Sequence, residues 1–152
     1  APDWAVRGEG HAVMPPLPDH LDVIDTATPD KPFRLVAAPA RNFLNTTFTE
    51  TPSSRQKEER PCVLIHSTVC ERLAIESGDL VRLGNELGSV LLHAQRFDGL
   101  QASTLIVESQ WPGDAFVEGI GINILISADP GYPAAGAAYH DTAVWLKPHL
   151  PA

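Results

Sequence analysis

The spacing of strand-like runs most constrains what this chain can become. FRLVAA (Phe33–Ala38), CVLI (Cys62–Ile65), DLVRL (Asp79–Leu83), SVLLHAQRF (Ser89–Phe97), STLIVES (Ser103–Ser109) and TAVWLK (Thr142–Lys147) are short and aliphatic. Turn signals separate them: Pro39, Asn85-Glu86-Leu87-Gly88, Asp98-Gly99 and Pro148. Runs of this length, stopped by Gly, Pro, Asn and Asp, read as the strands of a β-barrel or sandwich. In SVLLHAQRF, strand alternation puts Val90, Leu92 and Ala94 on one face and His93 and Gln95 on the other.

One helix is expected after CVLI. Thr68 and Glu71 have the spacing of a capping box. Val69 with Leu73, and Cys70 with Ala74, lie four apart and would face the core. The helix must stop before Ser77-Gly78-Asp79, where glycine offers a left-handed exit. The first segment, residues 1–32, holds MPPLPDHLDVIDTATPDKP and reads as an extended arm or linker, because proline removes donors and fixes φ. Residues 33–148 form the folded domain, and 149–152 a tail. Between FRLVAA and CVLI lies a long polar stretch. Its second half, Ser53 to Arg60, is charged and is expected to be a solvated loop; its first half, Asn42 to Thr49, is rich in Asn and Thr.

Totals exclude several functions. A chain of 152 residues is enough for one domain with a real core. Its formal net charge of -8 disfavours nucleic acid as a partner. A small anionic ligand remains compatible, since backbone amides can hold one. The two cysteines, Cys62 and Cys70, form no C-x-x-C pair and no cluster with histidine, so a zinc or iron–sulfur site is not expected. They read as small core residues in a reducing, cytoplasmic setting, with a periplasmic one as the other option. No apolar run reaches the length of a membrane span. The chain begins at Ala1 and is expected to be a fragment of something longer.

None of the six histidines pairs at metal-ligand spacing. His66 precedes the helix cap and reads as structural; His93 reads as solvated. His140 follows Tyr139 in a Gly/Ala segment and opens the last strand. No serine sits in a G-x-S-x-G elbow and no phosphate-cradling P-loop is present. Gly88-Ser89, the one pair of the kind a self-processing barrel enzyme uses, reads as a plain turn. GIGIN, from Gly119, begins with glycine-x-glycine, but Ile124 stands where a dinucleotide fingerprint needs its third glycine. WPGDAFVE before it is turn-like rather than a strand, and Asp129-Pro130-Gly131 follows too soon for a helix. Three uncharged polar segments remain: Asn42–Thr47, Gln110-Trp111, and Asn123 with Tyr139-His140. Their amides and hydroxyls suit a ligand rich in heteroatoms, such as a pterin or purine, provided the loops meet.

From STVCERLAIESGDLVRLGNELGSVLLHAQRFDGL to TLIVES the sequence resembles the C-terminal domain of molybdopterin oxidoreductases, the dimethyl sulfoxide reductase family. Arg72-Leu73-Ala74-Ile75, Ser77-Gly78-Asp79-Leu80-Val81 and Gly88-Ser89-Val90 carry the likeness. R-L-A-I replaces the family's R-L-G-I, and Gln101 to Ser103 lack its frequent proline and glycine. Asn123, Leu125 to Asp129, Gly136, Tyr139-His140 and Ala143-Val144 follow the order of the family's ending. RLVAAPARNFLNTTF resembles its first strand and cofactor loop. The resemblance covers about Pro32 to Pro148.

It implies a mainly β fold: a six-stranded double-psi β-barrel with one or two short helices and an extended N-terminal arm. It implies binding of molybdopterin guanine dinucleotide, with the molybdenum held by other domains of a larger oxidoreductase. Asn45, Thr46 and Thr47 would contact pterin or phosphates, and Gln110 and Trp111 would lie along the cofactor. Asn123, Tyr139 and His140 would hold the pterin end, with His140 where the family often has Lys. Gly121, with Gly119, would let backbone approach the ligand. The expected partners are the cofactor and the remaining domains of the parent enzyme, without nucleic acid or membrane insertion. The chain alone is not expected to turn over substrate. The alternative is a barrel used as a protein-interaction module without cofactor. Asn45, Asn123 and His140 around one concave surface would favour the first reading.

Overall fold

The computed structural model describes residues 24–108, 110–129, 139 and 142–150. Six strands, β1 (Phe33–Ala38), β2 (Cys62–Ile65), β3 (Leu80–Gly84), β4 (Ser89–Arg96), β5 (Thr104–Glu108) and β6 (Thr142–Pro148), match the six runs of the sequence to within a residue or so at each end. They close into a barrel in the order β1-β5-β2-β4-β3-β6. β1 pairs in parallel with β5, and β2 with β4; the other four pairings are antiparallel. Of strands consecutive in the chain only β3 and β4 are neighbours in the barrel, so every other connection passes over an intervening strand. Those crossed connections make it a double-psi β-barrel.

The core is aliphatic and dry. Val63, Ile65, Val81, Leu83, Val90, Leu92, Leu105, Val107 and Val144 are all buried, from five of the strands. They alternate along β3 and β5, and in β4 Val90, Leu92 and Ala94 point inward as the pleat requires. Leu91, from the other face of β4, is buried as well. At Gly84 a side chain has no room: an added Cβ would lie 2.8 Å from the Gly88 carbonyl and inside the Trp145 ring. Trp145 is paired across the sheet with Gly84, and Lys147 Nζ lies 5.0 Å from its ring centroid.

Three local expectations are corrected. The charged stretch expected as a loop is a helix, α1 (Pro52–Glu58). Pro52 stands in its first turn, where the fixed φ fits and the missing N–H has no helical partner to lose. None of its residues is buried, so no apolar stripe marked it in the sequence. The second helix, α2 (Ser67–Leu73), is capped by His66 rather than Thr68: His66 Nδ1 accepts from the Thr68 amide at 3.2 Å. Glu71 does not reach back to complete a capping box; its carboxylate accepts from Arg96 at 2.7 Å. The helix exits through Ala74 at φ 53, ahead of Gly78. That backbone reversal leaves Ala74 exposed and gives the core position to Ile75.

His66 thus has the structural role expected of it. His93 is half-buried rather than fully solvated, with Nδ1 3.0 Å from the Gly78 carbonyl oxygen. Among the described residues no helix is long and apolar enough to cross a membrane.

Candidate functional site

β1 and β5 run parallel and in register, so both chains leave the barrel at the same end. β1 leads through Pro39 to the Asn45 turn, and β5 leads to Gln110 and Trp111. Two segments far apart in sequence therefore reach one rim for a topological reason.

The Asn45 turn is a tight hairpin. Leu44 and Thr47 exchange backbone hydrogen bonds of 3.1 and 2.8 Å. Asn45 sits at φ 52, a left-handed conformation that Asn tolerates better than most residues. Phe48 has φ 73, a strained setting for a bulky side chain. Two bonds hold it there: Thr49 Oγ1 donates to Thr46 O at 2.9 Å, and the Thr51 amide donates to Phe48 O at 3.0 Å. At the root of the turn, the Asn42 amide and its side-chain Nδ2 both donate to Glu58 Oε1 at 2.7 Å, so α1 braces the loop.

The third wall is the segment from Gly113 to Asp129. A 3₁₀ turn, Ile122–Leu125, anchors it, with Ile122 and Leu125 buried. Asn85, itself buried in the β3–β4 turn, donates from Nδ2 to Leu125 O at 2.8 Å. Upstream, Arg82 on β3 grips Glu118 with two bonds of 2.6 and 3.0 Å and also reaches Ser89 at 3.2 Å. The Arg82 hydrogen bonds hold the Glu118 carboxyl below the usual carboxylate range. Gly119 adopts φ 72 between these anchors.

These walls enclose a groove of about 790 Å³. Asn45, Gln110, Asn123 and Tyr139 line it together, over a floor that includes Ala37, Ala38, Ile122 and Ile126. The three polar segments picked out in the sequence thus meet, each represented by at least one side chain. Thr46 and Thr47 belong to the same turn as Asn45 but are not among the residues lining the groove. Gly121 also stands outside it; an added Cβ there would lie 3.4 Å from the Phe116 ring, ordinary contact, and its φ of -87 needs no glycine. Trp111 is buried against Phe43, edge to face with centroids 4.8 Å apart. Its open side faces a smaller, polar cavity of about 350 Å³ shared with α1 and Cys62. His140 lies outside the described residues.

Sequence reading missed two contributors. Ser127 and Asp129 also line the groove. Ser127 Oγ donates to Asp129 Oδ2 at 2.8 Å, and the Asp129 amide returns a bond to Ser127 Oγ at 3.0 Å. In the sequence Asp129 presents itself as the start of a turn and as the end of the family-like run Leu125 to Asp129, with no ligand role attached. Among the described residues no group of three or more His, Cys, Asp or Glu could hold a metal ion. Cys62 and Cys70 are free thiols, and burial pushes both above the ordinary thiol range.

The fold and the groove define a class: a double-psi barrel domain with an amide-lined trough at one end. Comparison with known proteins then gives the family. Residues 33–143 match the model of the molydopterin dinucleotide binding domain, well over half of the chain, and the chain belongs to that family. It is 29% identical over 101 residues to a Halobacterium salinarum protein whose name describes it as the catalytic subunit of a dimethyl sulfoxide reductase. That stretch is 66% of this chain and 12% of the relative. Acetylene hydratase from Pelobacter acetylenicus superposes with a TM-score of 0.72 at 16% identity, over 88% of this chain and 21% of that one. The chain therefore spans a small fraction of the length of both.

The donor set fits the heterocyclic part of a pterin dinucleotide. Primary amides, a hydroxyl and a phenol offer donors and acceptors to a heteroatom-rich ring, and the small floor residues leave room for a flat one.

Proposed function

We propose that this chain is the cofactor-holding module of a larger molybdenum-dependent oxidoreductase, and that it binds molybdopterin guanine dinucleotide in the groove lined by Asn45, Gln110, Asn123 and Tyr139. The observation that carries this reading is the convergence of those four polar side chains, from four separate parts of the sequence, on one concave surface. Family membership gives the ligand class. The groove volume lies in the range of small-molecule sites, roughly 300–1,000 Å³.

In this reading Asn45 and Gln110 grip the ligand from one rim, and Asn123 and Tyr139 from the other. Ala37 and Ala38, at the end of β1, let a flat ring approach the strand. Thr46 and Thr47 extend the contact beyond the groove, Trp111 positions Gln110 from beneath, and His140 adds a contact that the family resemblance implies. When bound, the cofactor supplies two-electron chemistry at molybdenum held by other domains. This chain binds, orients and shields; it does not turn over substrate alone. The parent enzyme is proposed to be cytoplasmic.

The test is an NMR titration of the 152-residue chain with molybdopterin guanine dinucleotide. Shifts confined to Asn45, Gln110, Asn123 and Tyr139 are expected, and Asn123→Ala should weaken them. A titration that leaves these four signals unmoved removes the reading.

A further inference from the structure

The groove has an unusual charge balance. Among the described residues lining it there is no Lys and no Arg, and Asp129 is the one charged side chain. A diphosphate laid there would meet a carboxylate with no cation to offset it, in a chain already at -8. Arg and Lys are the side chains that most often hold phosphate, and among the described residues these walls supply neither. A neutral heterocycle meets no such penalty.

Asp129 is also held in place. Ser127 Oγ donates to its Oδ2 at 2.8 Å, and the Asp129 backbone amide bonds back to Ser127 Oγ at 3.0 Å. This small ring holds the carboxylate, which is exposed and lines the groove together with Asn45 and Asn123. An ionised carboxylate is an acceptor only, with room for two parallel N–H donors. Such a pair, a ring N–H beside an exocyclic amino group, is presented by a 2-amino-4-oxo-pyrimidine ring. Guanine and pterin share that edge. Cytosine offers one amino donor beside a bare ring nitrogen, whose lone pair would face the carboxylate.

We propose that Asp129 is a specificity-determining residue: it reads the amino-oxo pyrimidine edge of guanine or pterin, and the groove holds a heterocycle of the dinucleotide rather than its diphosphate. The proposal rests on the cofactor-binding reading above. It adds which chemical part of the ligand lies in the groove and what selects it.

The experiment titrates the 152-residue chain and its Asp129→Asn variant with GMP, CMP and 6-hydroxymethylpterin, reading the side-chain amides of Asn45, Gln110 and Asn123 by NMR. Asp129 is exposed, so the variant should keep the remaining amide fingerprint, which verifies its fold. The expected result is that GMP or the pterin binds the native chain at least about ten-fold tighter than CMP, and that D129N abolishes this preference, since its amide puts an N–H against the ligand's donors. Tighter binding of the pterin than of GMP assigns the groove to the pterin end, and the reverse to the guanine end. If D129N keeps the preference, or if CMP binds as well as GMP and the pterin, the role of Asp129 is overturned while cofactor binding stands. If none of the three ligands moves the groove amides of the native chain, the cofactor-binding reading falls and this inference with it.

Discussion

Phe43 and Trp111 meet edge to face, with ring centroids 4.8 Å apart and planes inclined at 78°. The pair joins the root of the Asn45 turn to the residue that follows Gln110. Two groove walls separated by more than sixty positions in sequence are thereby locked to each other by one aromatic contact. Phe43→Leu keeps an apolar side chain but removes the ring pair. It is expected to lower stability by about 1 kcal/mol, read as a shift of the urea midpoint with unchanged m-value. Ligand binding at the groove should weaken at the same time, because the two walls lose their common register.

Asn45 occupies φ 52 at the tip of its turn. A β-branched residue there meets steric strain of about 1–2 kcal/mol, whereas glycine meets none. Asn45→Val should therefore lower the thermal midpoint, and Asn45→Gly should leave it within about 0.5 kcal/mol of the native chain. Both variants lose the Asn45 amide, so both should bind ligand more weakly. Equal stability of the two would show that the turn does not hold this backbone conformation in solution.

Gly84 lies under the Trp145 ring and beside the Gly88 carbonyl, with no space for a methyl group. Gly84→Ala should displace Trp145 or open the β3–β4 turn, at a cost of about 1–3 kcal/mol. Altered Trp145 fluorescence together with a lowered thermal midpoint is the expected signature. A variant with native stability and native emission would contradict the packing at this point of the barrel.

Glu118 gains hydrogen bonds from Arg82, and these lower its carboxyl pKa in the folded chain. A depressed folded pKa means that the pair contributes fully above the ordinary glutamate value of about 4.3 and loses its contribution as pH falls below it. The loop carrying Gly119 to Asn123 should thus loosen first under mild acid. An NMR titration of the Glu118 carboxyl should give a value below the ordinary one, and Arg82→Gln should restore it. No difference between native chain and variant would remove the pair as the anchor of that loop.

The elements legible in the sequence share a cause. Val81 and Leu83 in β3, or Leu105 and Val107 in β5, carry alternation that survives in any context with one buried face. Other strands, such as β2 with its buried Val63-Leu64-Ile65, are announced instead by a short aliphatic run between turn signals. Helix α1 cannot be read this way, since it buries nothing and its residues look like any charged loop. The cap of α2 escapes local reading for a related reason. Thr68 and Glu71 have the right spacing, but the imidazole of His66, two residues earlier, takes the Thr68 amide, and Arg96 from β4 takes Glu71.

For the site, residue chemistry pointed to three polar segments, Asn42–Thr47, Gln110-Trp111 and Asn123 with Tyr139-His140, and the order of family motifs supplied a ligand class. Neither could say that these segments share a groove, that Trp111 turns inward to Phe43, or that Asp129 joins the lining. The sequence by itself determined the strands, their inward faces and the family, because these depend on local alternation and on short motifs. Only the tertiary structure decided the groove, because its walls are brought together by the parallel pairing of β1 with β5 and by Asn85 holding Leu125 across forty residues of chain, long-range contacts that no local pattern records.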